Sequence, residues 1–258
     1  CSLMLGKLLK YDLRSMLKEF AFIWPAALVM ALASRFMLSR VIETPTQFSA
    51  ITYIIFMLVY ASFLIAMGVI SLLFVVQRFY KGLLGDEGYL MFTLPVNSWQ
   101  LTASKLICAA IATSISTAIA IISMFALFPV EKLELASTSI SITVGMIFAP
   151  EHLSAWLELL AIAVAGMLQL YTLIYLSIAI GHLFNKHRVA ISFAAYIIIN
   201  SFWQILIGLF GLDHLETLSP ESDPLHLTIW VLVAIDVVKS TAYFLITNYI
   251  LKHRLNLE

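Results

Sequence analysis

Charged residues are scarce in this sequence. Asp, Glu, Lys and Arg make up 12% of its 258 residues, whereas they make up about a quarter of a soluble domain. The chain is 62% hydrophobic with a mean hydropathy of +0.98, and several apolar runs exceed the ~18 residues typical of a transmembrane helix. These runs are too long and too uniform for barrel strands, and a bilayer offers unpaired backbone groups no partners. We therefore expect an all-α polytopic membrane protein with one membrane domain.

Signals of chemistry are also missing. Cys1 and Cys108 are poorly placed for a disulfide, and we expect the residues ahead of Met4 to be an added remnant rather than a lipidated N-terminus. The sequence contains no GxxxxGK[ST], HExxH or GxSxG motif. A net charge of zero gives no reason to expect nucleic acid as a partner. The sequence therefore predicts no catalysis and no cofactor in this chain.

The six histidines show no metal-ligand spacing. His214 and His226 fall in a predicted outer loop with several acidic residues, where a cation site is conceivable. A solvated acidic loop is the favoured interpretation, so no metal site is predicted.

Residues 4–20 predict an amphipathic helix, because leucines and Phe20 recur on one face at helical spacing. The basic residues on another face are Lys7, Lys10, Arg14 and Lys18. This segment is too polar to span, so we expect it to lie on the membrane surface, where each cation contributes about 1 kcal/mol near anionic lipid. The alternative is a helix packed on protein.

Six apolar spans follow, each near or above the ~20 residues that a transmembrane helix requires. They cover approximately residues 21–39, 50–76, 101–128, 156–184, 189–212 and 227–250. Together they predict a transmembrane domain over residues 21–250.

Lysine and arginine are distributed unevenly between the two sides of these spans. One side carries the N-terminal cations together with Arg78, Lys81, Lys105, Lys186, Arg188, Lys252 and Arg254. The other side carries Arg40 and Lys132, with Arg35 nearby, and most of the acidic residues. Because cytoplasmic connections are enriched in Lys and Arg, we expect both termini in the cytoplasm.

Residues 85–100, GDEGYLMFTLPVNSWQ, interrupt two of the most apolar stretches. The two glycines suit a turn, and Pro95 disfavours helix immediately before it. Asn97 followed by Gln100 is typical of a capping pair at which a helix restarts. The helix upstream is expected to continue past the membrane, which places the segment in water. The apolar residues between the glycines and Pro95 are therefore expected to lie against the bilayer or to be covered by another protein.

The run RFYKGLLGDEGYLMFTLPVNSWQLTASKL, with KLLKYDLRSMLKEF at the start and the six spans, resembles the permease subunits of bacterial ABC-2 type exporters. The resemblance implies that the N-terminal helix is an elbow and that residues ~78–100 form a coupling segment. This segment is expected to dock on a separate cytoplasmic ATPase subunit, which binds ATP and Mg²⁺. A second permease copy or a paralogue, in the bacterial plasma membrane, is also implied.

The resemblance also assigns roles within the coupling segment. The carboxylates of Asp86 and Glu87 are expected to orient it. The residues expected to fill or frame a groove on the ATPase are Tyr89, Phe92, Leu94 and Pro95.

The sixth span contains Asp236 and Lys239 near its centre. Each charge costs about 2.5–3.5 kcal/mol at that depth on an insertion scale. We expect the two side chains to pair at i, i+3 with their face turned away from lipid. A structural ion pair and a substrate-path or interface role are equally favoured.

The third span carries a face of small, weakly polar residues that includes Thr113 and Ser116. Such faces let helices approach closely. Close packing is favoured over a translocation lining.

Two functions remain open at this stage. The first is the permease half of an ATP-driven exporter that moves a peptide, lipid or amphipathic drug outward. The second is a membrane sensor or immunity protein that binds a peptide or lipid without pumping it. The coupling-like segment favours the first.

Overall fold

The computed structural model describes residues 6, 10–15, 18, 20–43, 46–81, 98–127, 153–184, 186–209 and 224–253. This part of the chain is helical and contains no strand. Its six long helices are α1 (Ile23–Glu43), α2 (Gln47–Phe79), α3 (Ser98–Ala126), α4 (Leu153–Gly181), α5 (Arg188–Leu209) and α6 (Pro224–His253). Within the described residues, each predicted apolar span falls largely on one of these helices.

Five of these helices, α2 to α6, are long and apolar enough to cross a membrane. Helix α1 differs because Arg35 and Arg40 lie within it. The all-helical, multi-pass prediction is therefore confirmed, and the chain is a membrane protein. A sixth crossing and the elbow role of the N-terminal helix stay predictions.

Polar side chains inside the helices are largely satisfied by their own backbone. Ser71, Ser177 and Thr247, for example, each donate to the carbonyl four residues earlier at 2.7–2.8 Å. Such bonds leave few hydroxyls needing water, which suits helices in lipid.

The beginnings of α2 and α3 follow local sequence signals. Thr46 and Ser49 form reciprocal side-chain-to-backbone hydrogen bonds of 3.0–3.1 Å at the start of α2, a capping box. Helix α3 begins at Ser98, directly after the predicted capping residue Asn97, which itself lies outside the described residues. Since Ser98 is also the first residue described after position 81, a restart of the helix here stays a prediction.

The helices group into two compact units. The N-terminal unit comprises residues 6–75 and 107–150, and the C-terminal unit comprises residues 1–5, 76–106 and 151–258. Helices α2 and α3 contribute to both units, whereas α4, α5 and α6 belong to the second.

An aromatic cluster forms the core of the N-terminal unit. The ring of Phe20 stacks on Trp24 at 5.4 Å and meets Phe74 edge-on at 5.2 Å. Cys108 and Ala112 of α3 complete the buried cluster, against which Leu13 packs. The apolar face of the N-terminal helical segment therefore contacts protein.

In the C-terminal unit, α4 makes its most extensive contacts with α6, followed by α5. Glu158 contacts His226 near the start of both helices. Gly166 faces Asp236 further along, and Ala179 shares a core cluster with Ile250 near their ends. Because partners advance together along both helices, α4 and α6 run parallel.

Helix α5 follows α4 after a tight turn and packs back along it. His187 adopts the left-handed backbone conformation with φ 58°, and a Cβ added at Gly181 would lie 1.9 Å from Ser192 Oγ. A glycine at 181 is therefore required for this close approach. Most of α5 remains exposed, with Ala195 as its buried residue.

Large apolar side chains cover the outer surfaces of the helices. Leu58, Ile198 and Leu245 are each more than 60% exposed. Contiguous apolar surface of this kind promotes aggregation in water. In a bilayer the same surface is covered by lipid acyl chains.

Candidate functional site

Four ionisable side chains and two tryptophans form polar contacts within and between α4, α5 and α6 of the C-terminal unit. We call this set the polar seam. Its members are Glu158, Trp203, His226, Trp230, Asp236 and Lys239.

A buried carboxylate closes the seam where α4 and α6 begin. Glu158 is 5% exposed. Its Oε1 accepts hydrogen bonds from His226 Nδ1 at 2.5 Å and from Trp230 Nε1 at 3.1 Å. With two donors, the carboxylate is satisfied within the protein, and α4 is held to α6 at this level.

The middle of the seam is the predicted intramembrane pair. Lys239 Nζ lies 3.4 Å from Asp236 Oδ1, so the predicted i, i+3 contact is confirmed. Lys239 is 7% exposed, and its ammonium lies 5.2 Å from the centre of the Trp203 ring. Pairing and the cation–π contact together compensate the cost of burying this charge.

The absence of a side chain at Gly166 makes room for the pair. A Cβ added there would lie 4.0 Å from Asp236 Oδ2. The carboxylate therefore rests over the backbone of α4, away from the exposed faces. An ion pair held against a neighbouring helix in this way is suited to fixing helix register or presenting a dipole.

Sequence reasoning missed two members of the seam on other helices. Glu158 carried a usable signal, since a carboxylate within an apolar helix is rare and commonly partnered. Trp203 carried none, because a tryptophan in an apolar run is ordinary. For His226 the prediction was wrong: it lies in the first turn of α6 rather than in a loop, and it pairs with Glu158.

Two anchors hold the helix ends next to the predicted coupling segment. At the end of α2, Phe79 stacks on Tyr175 of α4 with ring centres 4.0 Å apart, and both side chains are at most 1% exposed. At the start of α3, the hydroxyl of Thr102, which is fully buried, donates to Asn248 Oδ1 of α6 at 3.1 Å. The end of α2 is thus held against α4, and the start of α3 is held against α6.

The six residues predicted to dock the ATPase, Asp86, Glu87, Tyr89, Phe92, Leu94 and Pro95, lie outside the described residues. The same holds for Lys7. Lys10, Arg14 and Lys18 are exposed on the N-terminal helical segment. Their exposure agrees with a surface role, and contact with lipid stays a prediction.

Thr113 and Ser116 are buried in the N-terminal unit. Thr113 donates to the carbonyl of Ala109 at 2.9 Å, and Ser116 accepts a 3.0 Å hydrogen bond from the indole of Trp24. These contacts favour the close-packing interpretation of the third span. Asp236 and Lys239 belong to the other unit.

Within the described ranges, no group of three His, Cys, Asp or Glu side chains is arranged to hold a metal ion. The acidic loop residues near His214 lie outside those ranges.

Comparison with known proteins gives no relative from which to transfer a role. No family model, no curated protein and no solved structure matches the chain.

Proposed function

We propose that this chain is the membrane-spanning permease subunit of an ATP-driven ABC exporter. It crosses the bacterial plasma membrane six times, with both termini in the cytoplasm, and pairs with a second permease copy or a paralogue. A separate cytoplasmic ATPase subunit binds ATP and Mg²⁺. The cargo class is a peptide, lipid or amphipathic drug.

The two anchors carry this proposal. A coupling segment is useful only if its displacement reaches the transmembrane helices. Residues 82–97 leave α2 beside the Phe79–Tyr175 stack and enter α3 beside the Thr102–Asn248 hydrogen bond. A push on this segment would therefore be passed to α4 on one side and to α6 on the other.

The length of α2 supports the same conclusion. Its 33 residues extend about 50 Å, longer than the ~30 Å hydrocarbon core requires. The extra turns carry Arg78 to the end of the helix. A helix that projects in this way presents the segment after it to a soluble partner.

The resemblance of residues 78–106 and of the N-terminal helix to ABC-2 permeases supplies the partner. Tyr89 and Phe92 then fill a groove on the ATPase, while Asp86 and Glu87 orient the segment. The chain supplies no phosphate-binding loop, so hydrolysis belongs to the partner.

The test is the double variant Tyr89→Ala with Phe92→Ala, expressed in the native host and purified together with any ATPase subunit that the wild-type chain retains. Buried aromatic anchors cost about 2 kcal/mol or more on truncation, roughly thirtyfold in affinity. We expect normal membrane insertion, weakened copurification of the ATPase and loss of transport-coupled ATP hydrolysis. Phe48→Ala is the matched control, because Phe48 is an 81% exposed aromatic at the opposite end of α2.

Unchanged copurification and coupled hydrolysis in the double variant would refute the docking assignment. ATP turnover by the permease purified alone would refute the proposal that hydrolysis takes place in the partner subunit. A chain that binds peptide or lipid but never copurifies with an ATPase would instead support the sensor or immunity function.

A further inference from the structure

A groove of about 250 Å³ lies in the C-terminal unit where α4 meets α5. Ile174 and Ile178 form its α4 wall, and Val189 and Phe193 form its α5 wall. Val189 and Phe193 are 78% and 66% exposed, so this side opens towards the surrounding lipid. The groove is thus a largely apolar cleft along α4 and α5, to which Val76 and Tyr80 at the end of α2 also contribute.

The end of the groove nearest the α4–α5 turn is cationic. Arg188 lines it there and is itself exposed, and Lys186 is exposed two residues earlier. No carboxylate lines the groove among the described residues. An anionic group at this end would meet an opposite charge without a competing acid.

His182 adds an unused hydrogen-bond acceptor beside Arg188. Its Nδ1 lies 3.0 Å from the carbonyl oxygen of Ile178, which can only accept, so Nδ1 carries the proton. Burial and, to a smaller extent, the charge of Arg188 lower the pKa of His182, which favours the neutral ring. Nε2 is buried with no hydrogen-bond partner within the described part of the chain.

A ring contact fixes the orientation of this histidine. Tyr80 meets His182 edge-on with ring centres 5.0 Å apart, and Tyr80 also lines the groove. The acceptor is therefore held in place rather than free to rotate towards water.

We propose that this groove is a binding site for an anionic phospholipid. One acyl chain lies along Ile174, Ile178 and Phe193, and the phosphate lies beside Arg188. The ring of His182, which meets Tyr80, forms part of the groove wall on the same side as the phosphate. A phospholipid carries an anionic phosphate and an apolar chain in one molecule. The groove offers a cation and an apolar wall side by side, so it matches both parts.

The occupant follows from what the site combines. A soluble anion would leave the apolar walls unfilled, and a zwitterionic lipid would bring its own cation close to Arg188, which offsets the attraction of its phosphate. This inference does not depend on ATP-driven transport. In the proposed orientation, however, the site faces the cytoplasmic leaflet, whose surface is negative.

The experiment uses the purified full-length protein in detergent, titrated with dioleoyl phosphatidylglycerol or dioleoyl phosphatidylcholine and analysed by native mass spectrometry. We expect one phosphatidylglycerol to bind about fivefold more tightly than phosphatidylcholine, the ratio that ~1 kcal/mol for one basic residue gives. Arg188→Gln should remove this preference. Lys252→Gln, which neutralises another exposed cation, should retain it.

A second pair of variants tests the apolar wall. Ile174→Trp fills the groove and should lower phosphatidylglycerol binding at least tenfold. Ile198→Trp, on an exposed face of α5 outside the groove, should leave it unchanged. Equal binding of the two lipids, or wild-type preference in Arg188→Gln and Ile174→Trp, would overturn the proposal.

Photo-crosslinking of the wild-type protein remains decisive if a variant fails to fold. Phosphatidylglycerol with a diazirine on its acyl chain should label peptides that contain residues 174–193. Excess unlabelled phosphatidylglycerol should displace the label, and phosphatidylcholine should not. Label spread evenly over the apolar helices, or displaced equally by both lipids, would refute a specific site.

Discussion

At the scale of single residues, the Asp236–Lys239 pair balances the cost of burying a charge against the attraction between the two side chains. Lys239 is almost fully enclosed beneath Trp203, with its charge matched by one carboxylate 3.4 Å away. Removing one partner leaves a buried charge, whereas removing both lowers the cost of insertion.

Asp236→Ala should therefore lower the free energy of unfolding by about 3 kcal/mol, and the double variant Asp236→Ala with Lys239→Ala by less. Denaturation in micelles, followed by tryptophan fluorescence, measures both. Val238→Ala serves as control, since Val238 is 62% exposed on the same helix. If the double variant loses as much as the sum of the single variants, the two charges are not coupled.

The double variant also separates the two roles left open for the pair. Normal folding with normal transport assigns a structural role, and normal folding without transport assigns a functional one.

At the scale of helices, the α4–α5 hairpin depends on backbone contact at Gly181. An added Cβ would lie 1.9 Å from Ser192 Oγ and 2.6 Å from the carbonyl oxygen of Arg188. Neither distance is compatible with a methyl group, and the carbonyl cannot rotate away as a side chain can. The two helices would have to separate.

Gly181→Ala should consequently destabilise the protein by about 1–3 kcal/mol. The matched control is Gly68→Ala in α2, where nothing lies within 4 Å of the added Cβ. That change should be neutral or stabilising by up to ~1 kcal/mol. Thermal unfolding in detergent distinguishes them, and equal melting temperatures for the two variants would show that the hairpin tolerates a wider approach.

Adding Ser192→Ala to Gly181→Ala gives a finer measurement. It removes the hydroxyl but keeps the carbonyl contact at 2.6 Å, so partial recovery of stability is expected. Full recovery of the stability lost in Gly181→Ala would show that the clash is with the Ser192 side chain alone.

At the scale of the whole molecule, the proposed orientation is testable by accessibility. In a variant without Cys1 and Cys108, cysteines introduced at positions 46, 137 and 222 should react with an impermeant maleimide in intact cells. A cysteine at position 86 should react only after permeabilisation, because it lies on the proposed cytoplasmic side. The reverse pattern would refute the orientation and, with it, docking to a cytoplasmic ATPase.

Helix number and placement follow from the sequence because they depend on local composition. Runs of ~20 apolar residues identify each helix. Internal contacts such as Asp236–Lys239 are equally local, since i, i+3 spacing fixes them.

Contacts between distant helices do not follow from the sequence. Glu158 pairs with His226 across 68 residues, and no periodicity in either helix identifies its partner. Trp203 reaches Lys239 because α5 folds back along α4, an arrangement set by the turn at His187 and by Gly181. The groove beside Arg188 is likewise a product of packing.

The pairing of Glu158 with α6 also has a consequence for biogenesis. The carboxylate is synthesised 68 residues before its histidine partner, a delay of roughly 3–14 s at typical elongation rates. Throughout that interval α4 holds an acidic group whose donors have not yet left the ribosome. Completion of the α4–α6 contact is therefore a late step of assembly, and a chain truncated before α6 exposes a carboxylate that the full-length chain conceals.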